Sequence, residues 1–380
     1  MINPRIHDSI ESIPAAAWNT LAGTTAPCLR HEYFAALEAS GSIGPETGWH
    51  PCYLSLEDDT GALIGAVPLF EKTDSHGEFI FDWSWAAALE RSGRPYYPKL
   101  VAAVPYTPIP GPRLLLAPSA SAGAVRELAE AALAFAAERD TSSLHWLFLA
   151  PQDLAPLKRQ NCLMRTGCHF EWKNDGTADF TAWLATLTSA RRKNIRRERR
   201  RIVESGIECE WRGGSDLDAR KLDLIYRLYA ANYYAHGMLP YLTPGFFGEL
   251  VRRMPEALAV CFARRGSEII ACAIYLKDEH VLYGRYWGVF EWVNGLHFEL
   301  CYYQGIEYAL ANGFARFHPG VQGEHKLLRG FVPTVHYSAH WLRDTDLHQA
   351  VAFFLERERV AIADYTAEAA EFLPFRRDKG

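Results

Sequence analysis

The sequence predicts a mixed α/β (α+β) chain folded as two tandem lobes, each a mostly antiparallel sheet flanked by helices. Three observations lead there. A length of 380 residues exceeds what one ordinary hydrophobic core organises. Apolar residues make up 49% of the chain and charged residues 22%, which supplies two cores and excludes a disordered or fibrous protein. The order helices, hairpin, strand, long helix, strand occurs twice, and such units build α/β layers, not a bundle.

In the first half, residues 18–40 read as two helical pieces, with Arg30 to Glu38 the clearer one. Residues 51–56 alternate like a strand, Asp58-Asp59-Thr60-Gly61 turns the chain, and 62–70 return as a second strand. A third strand is expected over Glu78 to Trp83. An alanine-rich helix over 124–139 then feeds a buried strand over 144–149. The second half repeats the order. Two helices fall within 218–254, a hairpin over 257–276 turns at Arg265-Gly266-Ser267, and a strand over 281–287 follows. A helix over 296–312 and a strand over 314–318 complete the copy. Residues 1–175 are the expected first lobe, 176–215 a basic connecting helix and 216–380 the second lobe, the lobes facing each other across a cleft. The competing organisation is one large irregular domain in which the echo is accidental.

A net charge of −5 recruits neither nucleic acid nor anionic membrane globally, so any such contact needs a local patch. The first residues lack the basic start and apolar run of a signal peptide, and no stretch reaches the roughly 18–20 apolar residues of a membrane helix. Eight scattered cysteines without a Cys-x-x-Cys pair suit reduced thiols, which places the chain in the cytoplasm.

The one strongly basic patch runs from Arg191 to Arg201, with eight basic residues and one acid. Leu184, Leu187, Ile195 and Ile202 form its apolar stripe, leaving the arginines outward. Charge runs are commonly solvated helix faces. Here the sign imbalance defeats pairing along the helix, and a phosphate-bearing ligand would relieve the repulsion. Arg192, Arg196, Arg197 and Arg200 are the anion-binding candidates. A second segment, 317–333, packs His318, Gln322, Glu324, His325, Lys326 and Arg329 into a glycine-containing loop after a strand, where sites commonly sit. A zinc set drawn from His318, Glu324, His325, His336 and His340 matches no standard spacing, so no metal is expected. Between Arg94 and Arg113 a proline-stiffened stretch holds Tyr97, Lys99 and Tyr106, as a ligand platform or as a rigid surface crossover. Glu299, inside an apolar helix, needs a partner, with Arg285 or Lys326 the expected cations, or else serves as a general base. Phosphate-loop, dinucleotide and serine-hydrolase signatures are absent.

Five segments taken together resemble one family. Ser75 to Ala86, Tyr96-Tyr97-Pro98-Lys99 with Val104 to Pro108, Gly284-Arg285-Tyr286-Trp287-Gly288, His297 to Gln304, and Gly320 to Lys326 resemble the Fem-like N-acyltransferases of bacteria, often described as peptidoglycan biosynthesis or recognition proteins. The resemblance runs along nearly the whole chain. It implies two tandem Gcn5-related acetyltransferase (GNAT) folds and transfer of an acyl or aminoacyl group to an amine in cell-wall precursor metabolism. The expected chemistry is direct transfer without a covalent enzyme intermediate. Glu324 or His325 takes the amine proton, Asp82 is the alternative in the first lobe, and Lys326, Arg329 and Lys99 hold anionic groups. Arg285, Tyr286, Trp287, Glu299 and Tyr303 join Tyr97, Tyr106, His318 and Gln322 as substrate-binding candidates. The Arg/Gln-x-x-Gly-x-Gly/Ala pyrophosphate loop of acetyl-CoA enzymes is missing from both halves. The donor, a co-substrate and not a resident cofactor, is left open between acyl-CoA, another acyl carrier and aminoacyl-tRNA, with a phosphate-bearing or RNA donor meeting the basic helix. The rival from another class is a non-catalytic protein that uses the same twin fold to recognise a cell-wall precursor or RNA.

Overall fold

Pro68 splits the apolar run 62–70 in two, and the chain changes sheet there. In the computed structural model, which describes residues 3–23, 26–121, 123–321 and 323–376, Leu63–Val67 pairs with Tyr53–Glu57. Leu69–Lys72 instead lies between Trp49–Pro51 and Lys99–Ala102. Proline has no N–H to continue a ladder, so one expected strand becomes two.

The chain forms two compact units, one of residues up to Gly167 with Val335–Asp364, the other of Cys168–Thr334 with the residues from Tyr365 on. Neither is a continuous stretch. Residues 335–364, expected in the second lobe, belong with the first. The basic helix Ser189–Glu204, expected as a connector, puts Ile195 and Ile202 into the core of the second unit.

The first unit has two sheets. One is antiparallel, ordered Asn3–His7, Tyr53–Glu57, Leu63–Val67, Leu115–Leu116. The other runs Trp49–Pro51, Leu69–Lys72, Lys99–Ala102, Ser143–Leu149 and then the 337–342 part of Val332–Leu342. The second unit has one sheet, ordered Ile207–Gly213, Leu258–Arg265, Glu268–Lys277, Val281–Val289, Arg316–His318 and the end of Leu163–Lys173.

Among the described residues, each unit has a pair of parallel strands joined through a helix. Lys99–Ala102 reaches Ser143–Leu149 by way of Ala124–Glu138, whose Leu128, Ala132 and Ala136 form the buried stripe. Val281–Val289 reaches Arg316–His318 through the helical residues 296–311. The echo in the sequence is therefore a repeated crossover. Leu54, Val67, Leu100 and Trp146 build the first core; Trp172, Ala273, Leu300 and Phe317 build the second. Among the described residues, no two cysteines are joined in a disulfide.

The strand expected over Glu78 to Trp83 does not form. Residues 78–82 loop, and a helix, Trp83–Arg91, follows. In a strand the carboxylates of Glu78 and Asp82 would stand about 13 Å apart. In the loop both reach one ammonium group, that of Lys99.

Gly288 lets the helix Ala219–Ala235 lie directly on Val281–Val289, because a Cβ there would collide with the backbone of Leu228 and Tyr229. Backbone cannot step aside as a side-chain tip can. Gly288→Ala should lower stability by about 2–3 kcal/mol, read as a shift of the denaturant midpoint at unchanged slope.

Candidate functional site

In the second unit the site grows from a defect in a helix. Between Leu296–Phe298 and Gln304–Ala311 the backbone makes a π-helical turn, Glu299–Tyr303, which widens the helix and re-aims its side chains. Glu299, nearly fully buried, accepts from the Arg199 Nε at 3.1 Å and from the Gln304 amide at 2.9 Å. Its partner is neither Arg285 nor Lys326. Arg199 belongs to the basic helix, and it turns inward to pair with Glu299 at 3.0 Å and Glu307 at 2.6 Å. The arginines of that helix are thus not all outward. Its neighbour Glu198 also points in, accepting from the Tyr303 hydroxyl and from Arg329 at 3.1 Å.

The next loop closes on this turn. Glu324, His325, Lys326 and Arg329 share the short 3-10 helix Glu324–Arg329. Arg329 lies 3.5 Å above the Phe298 ring and donates to the His325 carbonyl at 2.9 Å, so both its charge and its plane are engaged within the protein. Lys326 is 2% exposed and donates to the Gly320 carbonyl at 2.8 Å; burial draws its ammonium down to about 7. Half-buried His325 shares a 2.8 Å hydrogen bond between its Nε2 and the Tyr302 hydroxyl. Burial, then the charges of Lys326 and Arg329, hold its pKa below the ordinary value, which favours neutral imidazole. Glu324 is exposed and accepts from the Tyr365 hydroxyl at 3.0 Å.

Trp287 packs its ring 5.2 Å from that of His297, which in turn lies 5.3 Å from Tyr302. Burial and the surrounding cations push His297 down to about 4. Arg285 is the extra residue of a β-bulge, sitting between the pairs Ile274↔Tyr286 and Tyr275↔Gly284, with its guanidinium 5.0 Å over the Tyr286 ring. His318 is buried, its ring 4.8 Å from that of His169. Gln322 lies outside the described residues. The structure gathers Glu324, His325, Lys326, Arg329 and Tyr303 around the π turn, with Trp287 beside them through His297. His297, Tyr302, Glu198 and Arg199 escaped selection; the one signal available was the aromatic, polar run His297 to Gln304 inside an otherwise apolar helix.

A separate polar group fills the first unit. Lys99, fully buried, donates to Ser75 at 2.7 Å, Glu78 at 2.9 Å and Asp82 at 2.5 Å. Asp82 also accepts from Ser75 at 2.6 Å and Tyr96 at 2.7 Å, and half-buried Tyr97 meets Ser75 at 2.9 Å. His145 joins Tyr96 at 3.1 Å and His340 at 2.7 Å. Burial opposes charge on Asp82, but the charge of Lys99 and the hydrogen bonds from Lys99 and Ser75 outweigh it and hold the carboxyl well below its usual range. Burial wins at Glu78, which is pushed up to about 7 despite Lys99, and at His145, which is pushed down to about 3. Tyr106 stands apart from this group, buried, with its hydroxyl on the Ser42 carbonyl at 2.9 Å.

On the outer side of the basic helix, Ser189, Arg192, Lys193, Arg196, Arg197 and Arg200 line an open hollow of about 400 Å³. Among the described residues no group of three or more His, Cys, Asp or Glu is arranged to hold a metal ion, and no helix is long and apolar enough to cross a membrane.

Two mixed α/β units, each with a helical crossover, carry these two groups of side chains. The chain belongs to the FemAB-like family, described as peptidoglycan biosynthesis/recognition, whose model matches residues 9–377. Among solved structures it is similar to FemX (TM-score 0.53, 10% identity, 92% of this chain and 100% of that one). It is similar also to the C-terminal domain of a putative lysylphosphatidylglycerol synthetase from Agrobacterium fabrum (TM-score 0.54, 9% identity, 90% and 94% covered). The L-PGS of Bacillus licheniformis follows (TM-score 0.50, 10% identity, 84% and 95% covered). No curated protein sequence matches the chain.

Two outcomes test this wiring. Removing Arg199 strands a buried carboxylate, so Arg199→Ala should cost about 2–3 kcal/mol in denaturant unfolding, discounted for the quarter of Arg199 that water reaches. Glu78 binds its proton more tightly folded than unfolded, so its contribution is full below about pH 4.5 and lost as pH rises toward 7. Stability should therefore fall across that window more steeply in the wild type than in Glu78→Gln, measured by unfolding at a series of pH values.

Proposed function

We propose that this protein is an N-acyltransferase that moves an acyl or aminoacyl group from an activated donor to the amine of a cell-wall precursor, with His325 as the general base. The single observation that carries the assignment is the state of His325 in a FemAB-like chain. It is a half-buried imidazole, kept neutral by burial and by the cations Lys326 and Arg329, and its Nε2 is fixed by the Tyr302 hydroxyl.

An ammonium group has no lone pair, so the acceptor must lose a proton before or during attack. With Nε2 donating to Tyr302, the Nδ1 of His325 has the lone pair to take that proton. The amine nitrogen bonds to the donor's carbonyl carbon, and the bond from that carbon to the leaving oxygen or sulfur breaks. The leaving group departs as the anion or takes up the proton that His325 gained. Lys326 and Arg329 support the imidazole: their charges disfavour imidazolium, and their hydrogen bonds to the Gly320 and His325 carbonyls fix the loop that carries it. Glu324, exposed and tied to Tyr365, is placed to guide a cationic acceptor toward His325. The family points to a peptidoglycan-related acceptor. Acyl-CoA, another acyl carrier and aminoacyl-tRNA are the donor classes to be screened.

Product formation from donor and amine panels, followed by mass spectrometry, tests the assignment. His325→Ala should lower kcat by about 10²–10⁴-fold, whereas Glu324→Ala should act mainly on KM. The acid limb of kcat/KM should titrate below 6.5, in line with the lowered pKa of His325. Full turnover by both variants would remove the assignment.

A further inference from the structure

We propose that the chain pairs with a second copy of itself along the helix Thr345–Glu371, the two helices antiparallel and crossing over Glu356 and Arg357. The part of this helix that belongs to the first unit has two unlike faces. Leu347, Val351 and Leu355 go inward, into a cluster with Trp85, Leu89 and Leu342. At about 100° per residue, the stripe opposite them runs through Gln349, Phe353, Glu356, Arg357, Val360 and Asp364, all exposed. Phe353 is 64% exposed and Val360 62% exposed, one turn to either side of the two charges. Single exposed apolar residues are ordinary on a protein surface. Here two of them bracket charges that the fold leaves unanswered. Glu358, further along the helix, pairs with Arg165 at 2.7 Å, and Arg359 reaches the Met164 carbonyl at 3.5 Å. Among the described residues, Glu356 and Arg357 have neither an ion pair nor a hydrogen bond. As neighbours in sequence they point in different directions and do not serve each other.

A partner for this stripe must offer an apolar residue opposite each apolar one and the opposite charge opposite each charge. The stripe itself does so when reversed. In a two-fold pair each contact occurs twice, residue i meeting j of the other copy and j meeting i. With the axis between Glu356 and Arg357, Phe353 meets Val360 of the second copy, and Glu356 meets its Arg357. Gln349 then faces Asp364, and Ala350 faces Ala363. No like charges come together. Moving the axis onto Arg357 sets that residue against itself and Glu356 against Glu358. Moving it onto Glu356 sets that carboxylate against itself and takes Phe353 away from Val360. One register is complementary and its neighbours are not. The spacing i, i+3, i+4, i+7 of Phe353, Glu356, Arg357 and Val360 is also the repeat that keeps two helices in contact over successive turns. From Gln349 to Asp364 the stripe is about 22 Å long, small beside the ~800 Å² per partner of a standard interface, so the pairing is expected to be reversible. This inference concerns association alone and does not rest on the acyl-transfer assignment.

Sedimentation equilibrium of the full chain, loaded at concentrations from about 5 to about 300 µM, reads the association directly. The expected result is a monomer–dimer equilibrium with a dissociation constant of about 10–50 µM, weakened by added salt. Phe353→Glu or Val360→Glu should leave the chain monomeric, since each places two unpaired carboxylates inside the contact. The charged residues supply the decisive comparison. Glu356→Arg alone sets like charges against each other twice across the axis, as does Arg357→Glu alone, and each should weaken association about 3–10-fold. Glu356→Arg combined with Arg357→Glu restores opposite charges at both places and should return association to within about twofold of the wild type. Leu239→Glu, at an exposed apolar residue of the second unit, should change nothing. Unaltered melting temperatures exclude misfolding as the cause. A wild type that stays monomeric at the highest concentration overturns the proposal. A dimer untouched by Val360→Glu overturns it in favour of another surface. Association weaker in the double reversal than in either single change overturns the antiparallel register.

Discussion

The ion pair between Arg199 and Glu299 is the constraint on which the second unit turns. A carboxylate buried in a helix that is otherwise apolar must find a cation or give up its charge. It finds one on another helix, and meeting it pins the basic helix against the π turn. Once Arg199 is committed, Glu198 beside it reaches Tyr303 and Arg329, and Arg329 in turn caps the loop that holds His325. A chain of polar contacts therefore runs from a surface helix to the imidazole. It places the His325 imidazole beside Lys326 and Arg329, and at the same time strips the outer helix face of its acid. One inward turn produces both properties.

The first unit solves the same problem around a lysine. Lys99 sits at the start of the strand that opens the helical crossover, and Ser75, Glu78 and Asp82 come to it from a loop. Three hydrogen bonds and two carboxylates suffice to keep the ammonium charged inside the core. The surplus negative charge is removed by Glu78, which holds a proton far above the usual carboxylate range, while His145 remains neutral. Both units thus bury charge next to their crossover, one with the cation on the sheet and the carboxylates on a loop, the other with the carboxylate on the crossover helix itself.

Much of this was legible in the sequence because periodicity reports on burial. The crossover helices, the hairpin strands Leu258–Arg265 and Glu268–Lys277, and the stripe of Ile195 and Ile202 follow from apolar spacing alone. Side-chain convergence was not legible. The alternation over Glu78 to Trp83 reads as a strand, and only the position of Lys99, seventeen residues beyond Asp82, explains why it loops. Arg199 is indistinguishable in sequence from its outward neighbours, since the carboxylates that select it lie a hundred residues away. The π turn was hidden too, because an inserted residue in a helix leaves no local signature when both flanks are apolar. Glu324, His325, Lys326 and Arg329 stand out in the sequence as polar side chains packed into a glycine-containing loop; that His297 and Tyr302 lie beside His325 does not, since they enter only within the motif run His297 to Gln304.

Each compact unit borrows its closing segment from a distant part of the chain. Ser143–Leu149 is flanked on one side by a strand made nearly two hundred residues later, and the second unit draws on residues beyond Tyr365. During synthesis, the first unit must therefore wait, with an open strand edge, while everything between Cys168 and Thr334 is produced. An open edge is a template for unwanted pairing. The order of manufacture and the order of completion differ: a chain cut before Val335 leaves the half made first without its closing strand, whereas a chain cut at Tyr365 injures the second unit.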